Sequence, residues 1–332
     1  MTDLVQLART LAAAPKGILA ADESVESATK RLAEYGVPAG EEMRRQFRDL
    51  FLDTPGVEHY LSGVILFSET LLQKGNDAKT FPESLSSRGV NPGIKVDLGT
   101  EPIAAHSTEL ITKGLLDLSE RLIEYKKQGG VFTKWRAVIT IDGDALPTAG
   151  AILENAKRLA LYAKAVQSAG LVPIIEPEVL YKGTHSRQRS RAVLTETLGT
   201  VFSVLDEQAV DRASVILKTA MVLSGKDSGK MDSPEEVAQD TVEVLLETVP
   251  KQLPGIIFLS GGQTPDQATD NLRAISRKAK ELGAPWPVTF SYARALQEEA
   301  LAVWKGKEEN VAAAREVFLS RLKRVSLAAE GL

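Results

Sequence analysis

Short β-branched runs alternate with long amphipathic segments along the whole chain, and this alternation limits the folds open to it. The runs lie at 17–22, 62–68, 93–97, 132–141, 171–178, 214–223, 255–260 and 287–292. Helical patterns stand between them, for example at 148–169, 186–208, 234–249 and 265–282. The helix boundaries have chemical causes. Ser233-Pro234-Glu235-Glu236 combines an N-cap serine, a first-turn proline and acids at the positive end of the dipole, and Thr264-Pro265-Asp266-Gln267 repeats the device. Gly170 and Gly283 follow the last helical residues, where a left-handed backbone closes a helix. Each crossover returns the chain to the same end of the sheet, so the strands must run parallel. Eight such units close most simply into one α/β domain, a single (β/α)8 TIM barrel over residues 1–332, with extra N- and C-terminal helices at 1–11 and 308–327. An open doubly wound sheet is the alternative. It usually carries a glycine-rich phosphate turn after its first strand, and Ala20-Ala-Asp-Glu-Ser24 is not one.

Composition removes whole classes of chemistry. The chain has no cysteine, so thiolate nucleophiles, disulfides and Cys-ligated metals are excluded. The three histidines, His59, His106 and His185, are not spaced as metal ligands and are read as surface or loop residues. No metal or cofactor is expected. Lys plus Arg number 40 against 44 Asp plus Glu, a net charge of −4, which argues against a nucleic-acid partner. No apolar run reaches the roughly 18 residues of a membrane span. The start, with an acid at Asp3 and leucines at helical spacing, lacks the basic and apolar regions of a signal peptide, so the expected compartment is the cytoplasm.

In a barrel, chemistry collects at the C-terminal ends of the strands. The first strand ends in Asp22-Glu23-Ser24. The third carries Lys95 and Asp97, the fourth Lys134 and Arg136, the fifth Glu176 and Glu178, and the sixth Lys218. The seventh ends in Ser260-Gly261-Gly262 and the eighth in Ser291, Tyr292 and Arg294. Charges at i and i+2 share a face of a strand, so these pairs point into one polar pocket. Lys218 lies in Ser214-Val-Ile-Leu-Lys-Thr-Ala-Met-Val222, where apolar surroundings favour a neutral amine that can attack a carbonyl. Alone it would read as a lysine reaching from a strand end to water; the other strand ends tip the balance. Glu176 and Glu178 suit proton transfer, or hold Lys and Arg in place. Asp22 suits a base for a substrate hydroxyl, or caps the next helix. Ser260-Gly261-Gly262 before a helix resembles an anion nest, and with Ser291 and Arg294 it fits the recurrent phosphate site of barrels. Lys95 with Arg136 could hold a second phosphate, or pair with Asp97 or Glu178.

These segments carry a family resemblance. Lys16-Gly-Ile-Leu-Ala-Ala-Asp-Glu-Ser24, Gly63-Val-Ile-Leu-Phe67, Gly93-Ile-Lys-Val-Asp97, Lys134-Trp-Arg136, Val172-Pro-Ile-Ile-Glu-Pro-Glu178, Leu217-Lys218, Phe258-Leu-Ser-Gly-Gly-Gln263 and Ser291-Tyr-Ala-Arg-Ala-Leu-Gln297 resemble class I fructose-1,6-bisphosphate aldolase, in order, from about Leu11 to Leu327. The resemblance implies a lyase that reversibly splits fructose 1,6-bisphosphate into dihydroxyacetone phosphate and glyceraldehyde 3-phosphate. Lys218 would form the Schiff base, Glu176 would dehydrate the carbinolamine beside Glu178, and Asp22 with Lys134 would handle the hydroxyl whose deprotonation breaks the carbon–carbon bond. Ser260, Gly261 and Arg294 match the 1-phosphate site, and Ser24, Ser27, Lys95 and Arg136 the 6-phosphate end. A homotetramer is implied in the same way. An aldolase preferring another ketose phosphate, or a sugar-phosphate-binding scaffold without turnover, is the alternative.

The sequence departs from the animal pattern in three places. Thr219-Ala-Met follows Lys218 instead of Pro-Asn-Met. Ala293 replaces a glycine, which is costly if that backbone needs a positive φ. The animal enzymes continue into a tail ending in a tyrosine used in proton exchange at the enamine carbon, whereas this sequence ends at Leu332. The expectation is that another group or water serves there, or that the step is slower.

Overall fold

The structure, a computed structural model, describes residues 3–75 and 78–332. Its strands are β1 (Gly17–Ala21), β2 (Leu61–Leu66), β3 (Asn91–Lys95), β4 (Thr100–Pro102), β5 (Leu110–Thr112), β6 (Phe132–Ile139), β7 (Val172–Val179), β8 (Ile216–Thr219), β9 (Ile256–Phe258) and β10 (Val288–Phe290). Eight of them form one parallel sheet in the order β1-β2-β3-β6-β7-β8-β9-β10. The Ala20 N–H donates to the Tyr292 carbonyl at 2.9 Å and so joins the first strand to the last. The fold is the expected (β/α)8 barrel. The antiparallel pair β4–β5 is an addition that the alternation did not show.

The barrel interior has two storeys. Below is an apolar plug: Ala8, Leu11 and Ala12 of the N-terminal segment meet Ile18, Phe132, Val172, Ile174, Ile216 and Ile257 from the strands. The helix Leu4–Leu11 closes that mouth, capped by Asp3, whose carboxylate accepts from the Val5 N–H at 3.0 Å; Met1 and Thr2 of the expected helix lie outside the described residues. Side chains alternate along a strand. The same inward rows therefore continue upward from Ile18 to Asp22, from Phe132 to Lys134 and Arg136, from Ile174 to Glu176 and Glu178, and from Ile216 to Lys218. The alternate rows, such as Leu19, Trp135, Ile175 and Leu217, face the surrounding helices in a second, larger core.

Glycines make the lower storey fit. A Cβ on Gly93 would lie 2.3 Å from the Phe132 ring, and one on Gly63 would lie 3.0 Å from it. Gly93→Ala should therefore destabilise the barrel by about 1–3 kcal/mol through overpacking. A lower urea midpoint at unchanged slope would show it; an unchanged midpoint would mean that Phe132 has room to yield.

The helix starts behave as read. Ser233 and Glu236 form a reciprocal capping box, and Thr264 caps Pro265–Glu281. The helix Val311–Ala329 buries Ala314, Phe318, Leu322 and Val325 outside the sheet. The sixth strand is shorter than its apolar run. After Thr219 the chain leaves the sheet, and the Val222 N–H donates to Thr241 Oγ1 at 2.9 Å, so residues 220–223 are buried without being strand.

Candidate active site

The open end of the barrel is a cavity of about 840 Å³. Its floor is a run of alternating charges. Lys134 Nζ lies 2.7 Å from Asp22 Oδ2 and 3.1 Å from Glu176 Oε2, and Lys218 Nζ lies 3.0 Å from Glu176 Oε1. The β6–β7 register sets Lys134 beside Ile174 and Arg136 beside Glu176, which brings the two inward rows together. Lys218 is only 4% exposed. A second tier lies beside the first: Lys95 Nζ is 2.5 Å from Asp97 Oδ1, and Arg136 Nε pairs with Glu178 Oε2 at 2.5 Å. Those are the carboxylates the sequence offered as alternative partners for the two cations.

The electrostatics follow from the pairing. Burial pushes the Asp22 carboxyl up, but the charges of Lys134 and Lys218 and the bond from Lys134 outweigh it, and it falls to about 2. Burial likewise works against ionised Glu176, yet Lys134, Lys218 and Arg136 together hold it below the usual carboxylate range. Lys134 is the mirror case. Burial favours its neutral amine, while Asp22, Glu176 and Asp97 raise it above the ordinary lysine value. Asp22 and Glu176 are thus ionised at neutral pH, and Lys134 is a fixed ammonium between them.

Two ends flank this floor. On one side Ser24 caps the helix Val25–Ala33, and its hydroxyl donates to Ser27 Oγ at 3.1 Å. On the other, Gly261 and Gly262 turn with φ of +59° and +101°, followed by the helix Pro265–Glu281. Such a glycine turn presents successive N–H groups to an anion. Ser260, Ser291 and Arg294 line the cavity there, and the buried Ser291 hydroxyl has no partner among the described residues. No group of three or more His, Asp or Glu with metal-binding geometry occurs among the described residues.

The family model for Fructose-bisphosphate aldolase class-I matches residues 3–332. The chain belongs to the class I fructose-bisphosphate aldolase family. A probable fructose-bisphosphate aldolase class 1 of Xanthomonas axonopodis pv. citri is 45% identical over 99% of this chain and 97% of its own length. Fructose-bisphosphate aldolase B of Gallus gallus is 46% identical over 99% of this chain and 90% of its own. Among solved structures, the fructose-bisphosphate aldolase of Plasmodium falciparum, in a ternary co-crystal with TRAP and a small molecule inhibitor, superposes with a TM-score of 0.95 at 43% identity. That match covers 99% of this chain and 94% of that one.

In this member of the aldolase family one cavity gathers the fourteen residues given a catalytic or phosphate-binding role from the sequence: Asp22, Ser24, Ser27, Lys95, Lys134, Arg136, Glu176, Glu178, Lys218, Ser260, Gly261, Gly262, Ser291 and Arg294. Tyr292, also at a strand end, is instead buried, and its hydroxyl donates to the Ala268 carbonyl at 2.9 Å. Ala293 has φ −104°, outside the left-handed region, so the positive-φ penalty does not arise there. Thr219 is buried, and its hydroxyl has no partner among the described residues. His59 and His106 are exposed; His185 is on a loop but buried, and burial, then the charge of Arg189, lowers its pKa.

Several wall residues were given no role from the sequence. Glu23 lines the cavity, but its carboxylate is tied to Arg31 at 2.8 Å and to Arg48. Arg31 also donates to Gln297 at 2.5 Å, and Gln297 to the Ala20 carbonyl at 3.3 Å. This strut fixes the segment that presents Asp22. Only the long sequence separation of its members hid it. Leu98, Gly99 and Thr100 enter with the β4–β5 hairpin, and Tyr181 and Lys182 with the loop after β7.

Proposed function

We propose that this aldolase reversibly cleaves fructose 1,6-bisphosphate to dihydroxyacetone phosphate and glyceraldehyde 3-phosphate through an imine on Lys218, without a metal. The observation that supports this most is the buried run Asp22–Lys134–Glu176–Lys218, in which nucleophile, proton carrier and base touch in sequence. Lys218 passes a proton to Glu176, 3.0 Å away, and its amine adds to the C2 ketone. Glu176 returns the proton to the carbinolamine hydroxyl, and water leaves to give the protonated imine. Asp22 takes the C4 hydroxyl proton. The C3–C4 bond breaks and its electron pair moves to the imine nitrogen, leaving an enamine and free glyceraldehyde 3-phosphate. Protonation at C3 and addition of water to the imine release dihydroxyacetone phosphate.

The two phosphates orient the reacting bond over Lys218. Ser260, Gly261, Gly262, Ser291 and Arg294 receive the 1-phosphate, with bidentate bonds from Arg294. Ser24, Ser27, Lys95 and Arg136 receive the 6-phosphate. Lys95 and Arg136 keep donors to spare beyond their carboxylate pairs, since an ammonium has three N–H groups and a guanidinium five. Glu178 orients Arg136. The assembly is a homotetramer acting in the cytoplasm; light scattering should give four times the 35.8 kDa chain mass, and a monomer mass would refute it.

Borohydride added with substrate should fix a three-carbon or six-carbon adduct on Lys218, located by peptide mass, and no adduct would end the imine route. Overnight EDTA treatment should leave kcat within twofold. Loss of activity restored by a divalent cation would place the chemistry on a metal.

A further inference from the structure

The loop after β7 completes the cavity wall with two residues the mechanism has not used, Tyr181 and Lys182. It is held by the loop after β8. The Lys226 N–H donates to the Tyr181 carbonyl at 2.8 Å, the Asp227 N–H to that of Gly183 at 2.9 Å, and the Gly225 N–H to that of His185 at 2.7 Å. The Asp227 carboxylate accepts from the Gly183 N–H at 3.1 Å. The two backbones approach so closely that a Cβ on Gly225 would lie 2.2 Å from the Gly183 oxygen. Tyr181 is thereby laid against the turn after β9. From the place a Gly262 Cβ would occupy, Tyr181 Cδ1 is 4.0 Å away and Arg294 Nη2 is 3.3 Å away. Gln267 Nε2 donates to the Tyr181 hydroxyl at 3.4 Å, which ties the ring to the helix that follows the turn.

The charges of the cavity divide unevenly. Lys95, Lys134, Arg136 and Lys218 each have a carboxylate within 3.1 Å. Among the described residues, Arg294 and Lys182 have no such partner. Arg294 flanks the glycine turn, and Lys182 follows the tyrosine that packs against that turn. Arg294 beside a concave row of N–H groups, and Lys182 on the loop that packs against that turn, are thus the cavity's two cations left without a carboxylate.

We propose that Tyr181 and Lys182 form a further binding pair for the phosphate received at the Gly261–Gly262 turn: Tyr181 is a positioning residue that holds the turn, and Lys182 is a second cation beside Arg294. The identity of that phosphate as the 1-phosphate of a ketose rests on the aldolase reading; the anion site itself does not. Lys182 is exposed, so its replacement spares the fold.

Lys182→Met should raise KM about fivefold for both fructose 1,6-bisphosphate and fructose 1-phosphate, with the loss in KM more than in kcat. Lys95→Met, at the other end, should raise KM for the bisphosphate alone. Tyr181→Ala should raise KM for both sugars, and Tyr181→Phe should recover most of that loss. Inorganic phosphate titrated calorimetrically into the full chain gives a readout independent of turnover. Lys182→Met should weaken its binding about fivefold, and much less so when Arg294 is already Ala, because the two cations share one anion. Unchanged KM and phosphate affinity in Lys182→Met, or an effect confined to the bisphosphate, would overturn the proposal. A wild-type chain that binds phosphate with this dependence yet cleaves neither sugar would refute the aldolase reading and leave the anion site standing.

Discussion

Lys218→Met is expected to lower kcat for fructose 1,6-bisphosphate about 10⁵-fold, which is about 7 kcal/mol of barrier, and to abolish the borohydride adduct. The size follows from what is removed. Without an imine, the electron pair released by C3–C4 cleavage has only a ketone oxygen to receive it, and no cation is bonded to the reacting carbon frame. Lys134 cannot step in. It has carboxylates at 2.7 and 3.1 Å, and the opposing charges raise it above the ordinary lysine range despite its burial. It therefore remains an ammonium, tied between Asp22 and Glu176, whereas Lys218 touches a single carboxylate oxygen, Glu176 Oε1 at 3.0 Å. Single-turnover assays with adduct mapping separate the outcomes. Residual activity with an adduct on Lys134 would reassign the nucleophile, and residual activity with no adduct would remove the imine from the reaction. Because methionine retains the length and apolar stem of lysine, the variant should fold and still bind sugar phosphates.

The legible part of this fold was the part set by local rules. Alternation of side chains along β6 and β7 is enough to put Lys134 with Arg136 and Glu176 with Glu178 on inward rows, and those rows meet in the structure. Proline and acids after Ser233 and Thr264 marked helix starts that the capping bonds bear out. What remained hidden depends on distant partners. The sixth strand ends at Thr219 although the apolar run continues, because Thr241, from a later helix, takes the Val222 N–H. The β4–β5 hairpin has strands of only three residues, too short for a periodic signal. Tyr181 and Lys182 carry no local signal, since what places them at the cavity is a backbone ladder to residues 225–227. The Ala293 backbone angle is likewise set by its surroundings: φ is −104°, so no positive φ demands a glycine there.

Lys134→Met should show that the same ammonium serves both stability and catalysis. Asp22 lies near 2 in the folded chain, below its ordinary 3.8. A carboxylate depressed in this way stabilises the fold fully above its unfolded value, and the contribution is lost as pH falls from about 4 toward 2. Glu176, also depressed, acts in the same direction. Removing Lys134 takes away the leading charge that opposes burial, so Asp22 rises in the folded state and the two buried carboxylates keep only the weaker pull of Lys218, with Lys95 on Asp22 and Arg136 on Glu176. Loss of one partner from such a buried set costs about 3–5 kcal/mol at neutral pH. The penalty should shrink as the pH falls toward 4 and the carboxylates take up protons. Urea unfolding of both proteins from pH 4 to 8 reads this directly, and a destabilisation independent of pH would mean that the ammonium is not what keeps the carboxylates ionised. Catalysis should fall about 10³-fold at pH 7. The acid limb of kcat/KM, out of reach in the wild type with Asp22 near 2, should also move up into the measurable range. A variant with the same drop in rate but no new acid limb would show that Lys134 acts on the substrate hydroxyl directly instead of through the proton affinity of Asp22.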